Sequence, residues 1–456
     1  MKKLFNLLLV SFLAVSFVAC DGDDKDDTET VEPGQGGLTT SQENGMTVVS
    51  GSTDQNFTMK ADTKYLLRGF VYIKNGATLT IEPGTVIKGE STSRGTLIIE
   101  RGAKIMADGT AAKPIVFTSN QPAGRRAAGD WGGLIVLGKA PVNRGNEVEI
   151  EGGVGSFYGG TDAADNSGVL RYVRIEFPGV AFQPNNEING LTLGGVGSGT
   201  TIDYVQVSHS GDDGIEWFGG TVNAKHLIVY KPVDDMFDTD NGYSGNLQFL
   251  VGISDPAVAD ASASNGFESD NDGSGTPATP ITAPTYSNVS LFGPLGTNTA
   301  ATISSNYGRG LHLRRNNQTK LHNSLIAGWP VGLLLDGVPT ESNATAGTFK
   351  IQNTIIAGTP AGKALTVTSA STFDVATWFN AAGKGNSVVN DAATLGIANS
   401  FKQTGAPNFT TGTQLQSGAS FTGLGSFFEQ VNYIGAFGAT DWTAGWANFD
   451  PQNTVY

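Results

Sequence analysis

Cysteine is almost absent from this chain: Cys20 is the only one. No disulfide framework is open to it, so stability has to come from packing or bound ions. Histidine is scarce as well, at 4 residues, and no zinc-ligand spacing, thiol nucleophile or Ser-His-Asp set is present. Charged residues make up only 15%, with 42 acids against 28 bases. The resulting net charge of −14 excludes nucleic acid as a partner, since that needs a basic stripe, and is compatible with cations. After residue 20 no apolar run approaches the ~20 residues of a membrane helix. Glycine, by contrast, is plentiful: 62 of 456 residues, about twice the usual ~7%. That much glycine disfavours helices and favours turns, while 39% apolar residues argue against a disordered chain.

The single cysteine has an informative position. Met1, Lys2 and Lys3 are followed by an apolar run, Leu4 to Val18, and then by Ala19. This predicts a secretory signal segment over 1–19. Cys20 then resembles the lipobox cysteine of bacterial lipoproteins, although Phe17 stands where that motif more often has leucine. The resemblance implies cleavage before Cys20 and acyl chains such as palmitate on it. DGDDKDDTETVEP (21–33) carries seven acids and predicts a flexible tether over 20–45. Its Lys25-Asp26-Asp27 group resembles the acidic export signal of Bacteroidota-type surface lipoproteins. That implies an outer-membrane, lipid-anchored, surface-exposed protein. Asp21 beside the cysteine would mean inner-membrane retention under the enterobacterial rule, and a plain solvated linker would carry no address.

Internal repetition organises the rest. KLHNSLIAGWPVG (320–332) returns as KIQNTIIAGTPAG (350–362), 30 residues on. LRYVRIEFPG (170–179), IDYVQVSHSG (202–211), AKHLIVYKPV (224–233) and LQFLVGISDP (247–256) share a looser form. Each reads as a strand ended by Gly or Pro, and a second short strand follows each one. Aligned, the second strands place Leu191, Ile215, Phe237, Phe267, Leu311 and Leu333 in one inward column. Leu193, Trp217, Thr239, Ser269, Leu313 and Leu335 form the next. Successive members of the first column lie 24, 22, 30, 44 and 22 residues apart, the coil length of a parallel β-solenoid with inserted loops. Tyr172, Tyr204, His226 and Phe249 fall in one column of the first strands and Asn288, Asn323 and Asn353 continue it, predicting aromatic stacking and an asparagine ladder. His209 and His322 sit near strand ends as ordinary surface histidines.

These phrases, with TIEPGTVIKG (80–89) and GDWGGLIVLG (129–138), resemble secreted proteins of the right-handed parallel β-helix type, a pectate-lyase-like solenoid common in Bacteroidota. The implied fold is all-β, a right-handed parallel β-helix over 46–370 with capped ends. Residues 45–70 form the leading cap and 371–456 close the other end, with a short helix in FDVATWFNAAG (373–383) capped by Asp374 or Thr372.

The acids cluster in GDDGIEWFGG (211–220), VDDMFDTDNG (233–242) and NGFESDNDGSG (265–275). Alternation puts Thr192, Glu216, Asp238, Glu268, His312 and Leu334 in one outward column. Gly194, Phe218, Asp240, Asp270, Arg314 and Asp336 form the next. Carboxylates stacked at the inter-strand spacing of ~4.8 Å repel unless compensated. Calcium held by Asp238, Asp240, Glu268, Asp270 and Asp272 is one expectation, and a solvated acidic face is the other. Glu216, Asp238, Asp240, Glu268, Asp270 and Arg314 are the expected ligand-binding set, for a glycan or a surface protein. Loops at 254–266 and 272–310 are expected to wall it. Two enzymatic readings stand beside binding. His312 and Arg314 next to bound calcium have the inventory of a polysaccharide lyase. Asp212 and Asp213 are similar to the paired aspartates of polygalacturonase-type hydrolases, whose later Gly-His-Gly and Arg-Ile-Lys phrases are missing here. A structural envelope component needs no site at all.

Overall fold

A computed structural model describes residues 38–183, 186–296, 303–403 and 405–456. Cys20, the signal segment and the acidic run 21–33 lie outside them. Among the described residues, 27 strands join one sheet, paired in parallel throughout except for its first strand. The inward column runs in register as the spacing predicts: Leu191, Ile215, Phe237, Phe267, Leu311, Leu333. It continues back through Leu134, Leu97 and Val71 and forward to Leu365. From Val71 to Leu333 every member is at most 1% exposed. The fold is therefore an all-β parallel β-helix, in which each coil covers the apolar face of the one before.

The bend in each coil has a physical signature that strand periodicity does not carry. Tyr172, Tyr204, His226, Phe249, Asn288, Asn323 and Asn353 all have φ between 48° and 61°. Each turns the chain by adopting the left-handed conformation, which costs a residue with a side chain roughly 1 kcal/mol or more. The aromatic members offset that by stacking, with ring centroids 4.4, 4.1 and 5.0 Å apart along the column. The asparagines do not form the expected ladder. Asn288 Nδ2 donates to the carbonyls of Tyr433 and Gly435, and Asn323 Nδ2 to Ser287 Oγ and the Ser420 carbonyl. Residues 420–435 are thus tied to the bend column, because an amide there meets free backbone more readily than another amide.

Both ends differ in detail from expectation. Thr39–Glu43, placed in the tether by its composition, pairs antiparallel with Met46–Thr53 and covers the first edge. At the far end, the helix Val375–Phe379 is capped by Asp374, which accepts from Thr377 N at 2.9 Å, and Phe379 is fully buried against the inner core. The remaining tail does not close the end; it runs back along one side. Gln248 makes a two-bond clamp with the backbone of Glu429 at 2.7 and 2.8 Å, and Gln206 with that of Asn448 at the same distances. Arg126 then holds the carbonyls of Pro451 and Thr454. The side needs cover because Ile228, Tyr230, Val251, Ile253 and Phe292 face outward there, and Phe409, Phe437 and Trp446 of the tail bury them.

Candidate functional site

The outward columns converge as the alternation predicts. Thr192, Glu216, Asp238, Glu268, His312 and Leu334 are consecutive partners across six strands, with Asp240 beside them opposite Phe218. Of these, Glu216, Asp238, Asp240 and Glu268 floor a cleft of about 550 Å³, with Asp270 and Arg314 of the next column. Its wall is not built by 254–266 or 272–310. It comes from the excursion between Gly133–Leu137 and Gly168–Glu176, where the hairpin Val148–Glu149/Phe157–Tyr158 brings Arg144, Glu149, Glu151 and Tyr158 over the floor. The sequence signal was the interval from Leu134 to its partner Leu191, 57 residues and the longest in the column.

Crowding governs the chemistry. Oxygens of Asp213, Glu216 and Asp238 lie within 4.8 Å of one another, and so do those of Asp235, Asp238 and Glu268, and of Asp212, Asp213 and Asp234. Burial, then neighbouring carboxylates, pushes the carboxyls of Asp212, Asp213, Glu216, Asp235 and Asp238 well above the ordinary range. Burial raises Glu151 to about 7, Asp240 to about 7 and Asp234 to about 6. Asn189, fully buried and overlooked by column reasoning, bridges Glu151 Oε1 at 2.8 Å and Glu216 Oε2 at 2.5 Å.

The expected bases are occupied. His312 has Glu268 Oε2 at 3.0 Å from Nδ1 and Asp336 Oδ2 at 3.1 Å from Nε2. Arg314 donates to Asp270 Oδ1 at 2.8 Å and to Glu268 Oε1, which holds the guanidinium more firmly protonated still. Burial raises Glu268, but His312 and Arg314 together outweigh it and leave this carboxyl lowered. Asp270 is shared by Arg314 and Arg315, and burial keeps its carboxyl raised. Both ring nitrogens of His312 and the guanidinium of Arg314 are thus engaged by carboxylates of the floor and its neighbours. One oxygen of Asp213 is engaged by a backbone amide. Its Oδ1 accepts Asp235 N at 2.9 Å one coil on, Asp235 Oδ1 accepts Asn265 N, and Asn265 Oδ1 accepts Arg309 N. The repeated Asp-Asp pairs thus stitch coils together.

The cation set also shifts. Asp272 spends its oxygens on its own turn, accepting from Ser274 N, Thr276 N and Thr276 Oγ1. Asp240 and Asp270 stand outside the three carboxylate triads, whereas Asp213, Glu216 and Asp235 stand inside them with Asp238 and Glu268. The donors fit a hard cation. All are oxygens, and Asp238 Oδ1 is buried with no partner among the described residues. Calcium takes oxygens at about 2.3–2.6 Å, so two ligands of one ion stand up to ~5 Å apart.

A stacked parallel β-helix with a walled carboxylate cleft on one outward face is the class of protein that fold and site define. A family model described as pectate-lyase like beta helix domain matches residues 51–447, and the chain belongs to that family. At the level of the family this points to carbohydrate-related work. No curated protein and no solved structure matches the chain.

Proposed function

We propose that the protein binds a polysaccharide in the acidic cleft through a calcium ion held around Asp238, and that acyl chains on Cys20 anchor it to the outer membrane with the β-helix exposed at the cell surface. The observation that carries the binding reading is Asp238, a residue shared between two carboxylate triads, whose buried Oδ1 has no partner among the described residues. A cation there relieves the repulsion and leaves coordination positions for hydroxyl or carboxylate oxygens of a sugar. The occupied state of His312 and Arg314 favours binding over lyase chemistry. A hydrolytic reading has one observation in its favour: Glu151 and Asp240 line the same cleft and keep their protons up to about pH 7, as a general acid requires.

A glycan array with and without calcium, followed by product analysis, tests this. Binding that needs calcium and yields no new ends is expected. New reducing ends that disappear in Glu151→Gln would establish hydrolysis instead, and unsaturated ends a lyase. The anchor is checked separately: a palmitate analogue should label the protein in cells and spare Cys20→Ser.

A further inference from the structure

On another face lies a small site of opposite charge. Parallel register stacks Lys320 directly on Lys350, and in the column two residues along stacks His322 on Gln352. With Thr285 one coil earlier and the tail segment 422–428 as a roof, these side chains line a cavity of about 140 Å³. That is well above the ~15 Å³ one water needs.

What distinguishes the cavity is that its donors have no protein acceptor among the described residues. No carboxylate lies within 4.0 Å of either lysine amine among the described residues, in a chain with 42 acids. The next cation along this face, Lys225, does have one: its amine pairs with Glu429 at 2.9 Å. His322 is only 5% exposed, no surface histidine at all, and its ring has no hydrogen-bond partner among the described residues. Two lysines on adjacent paired strands bring like charge to one cavity, which an anion between them would offset.

We propose that this cavity is a binding site for a tetrahedral oxyanion, sulfate or phosphate, free or as an ester on a sugar. Lys320 and Lys350 supply charge-assisted hydrogen bonds, and His322 donates one ring N–H. Burial, with Lys350 and Lys320 adding to it, pushes His322 down to about 4, so at neutral pH the ring is uncharged and offers a single donor. Burial and then Lys350 lower Lys320 as well, and a bound dianion would reverse both shifts. The cavity admits one compact group, so a longer ligand would lie outside it and insert only its anionic substituent.

The test is the thermal midpoint and calorimetric heat on adding sodium sulfate, sodium phosphate or glucose 6-sulfate, each against sodium chloride at matched ionic strength. At least one oxyanion should stabilise the protein where chloride does not. Response to the inorganic ions identifies a free-ion site, and response to the sugar ester alone a substituent site. Lys320→Met with Lys350→Met should weaken the apparent affinity about tenfold or more, and His322→Gln should weaken it less. If the double variant misfolds, Lys350→Gln alone, at an exposed position, should still weaken it severalfold. No response beyond chloride from any of the three ligands, or equal response in the variants, overturns the proposal.

Discussion

In the presence of a chelator, the protein should grow more stable as pH falls from about 8 toward 5, the reverse of most proteins over that range. The direction follows from the cleft. Burial holds Glu151 and Asp240 at about 7 and Asp234 at about 6, while Glu216 and Asp238 stand well above the ordinary range. Unfolded, each returns to about 4. The folded chain therefore binds more protons than the unfolded one, and stability declines as pH rises from about 4 through the folded values. One pKa unit is worth about 1.4 kcal/mol, so Glu151 and Asp240 alone contribute a loss of several kcal/mol by pH 8. Glu268, whose carboxyl is lowered, titrates below this window and leaves the slope unchanged. Calcium should abolish most of the slope, because a bound cation favours the ionised carboxylates. Urea midpoints across pH, in chelator and in calcium, measure both. A metal-free midpoint that rises with pH would mean the cleft is solvated and its acids ordinary.

Trp446→Ala should cost about 3–5 kcal/mol, as large as a core truncation, although the residue lies only ten positions from the end of the chain. Its ring stands edge-on to Tyr172 and Tyr204 at 5.7 and 5.8 Å, its N–H donates to the Trp442 carbonyl, and 2% of it is exposed. Loss of the indole would open a void over the bend column. Val455→Ala, at a residue 84% exposed, is the control and should change stability by less than about 0.5 kcal/mol. A loss below about 1 kcal/mol at Trp446 would show that the tail rests loosely on the solenoid. Urea denaturation of the two variants decides it.

These outcomes also show what periodicity can and cannot deliver. The inward column was legible because side-chain alternation has a period of two and tolerates no slip: one misplaced residue would have sent Phe237 and Phe267 outward. The same arithmetic stacked Glu216, Asp238 and Glu268 correctly. It could not say which oxygens were spent. Asp272 looked like a ligand and closes a turn; Asp235 stood outside the expected set and sits in a triad. Such assignments depend on bonds to residues far along the chain. Glu151 and Asn189 were invisible for a related reason: one rides on an irregular excursion and the other precedes its strand, so neither belongs to an aligned column. The tail carried no repeat at all. Its path is set by single side chains, Gln206, Gln248 and Arg126, whose glutamine and arginine identities suggest nothing until the partner backbone is in place.

Isothermal titration of the metal-free protein with calcium, set beside Asp238→Asn, addresses the central idea most directly. The unmodified protein should bind calcium with release of protons, and the variant, which keeps the shape and removes the shared charge, should bind at least about tenfold more weakly. Absence of binding heat in the unmodified protein, or equal affinity in the variant, would contradict a cation-holding cleft.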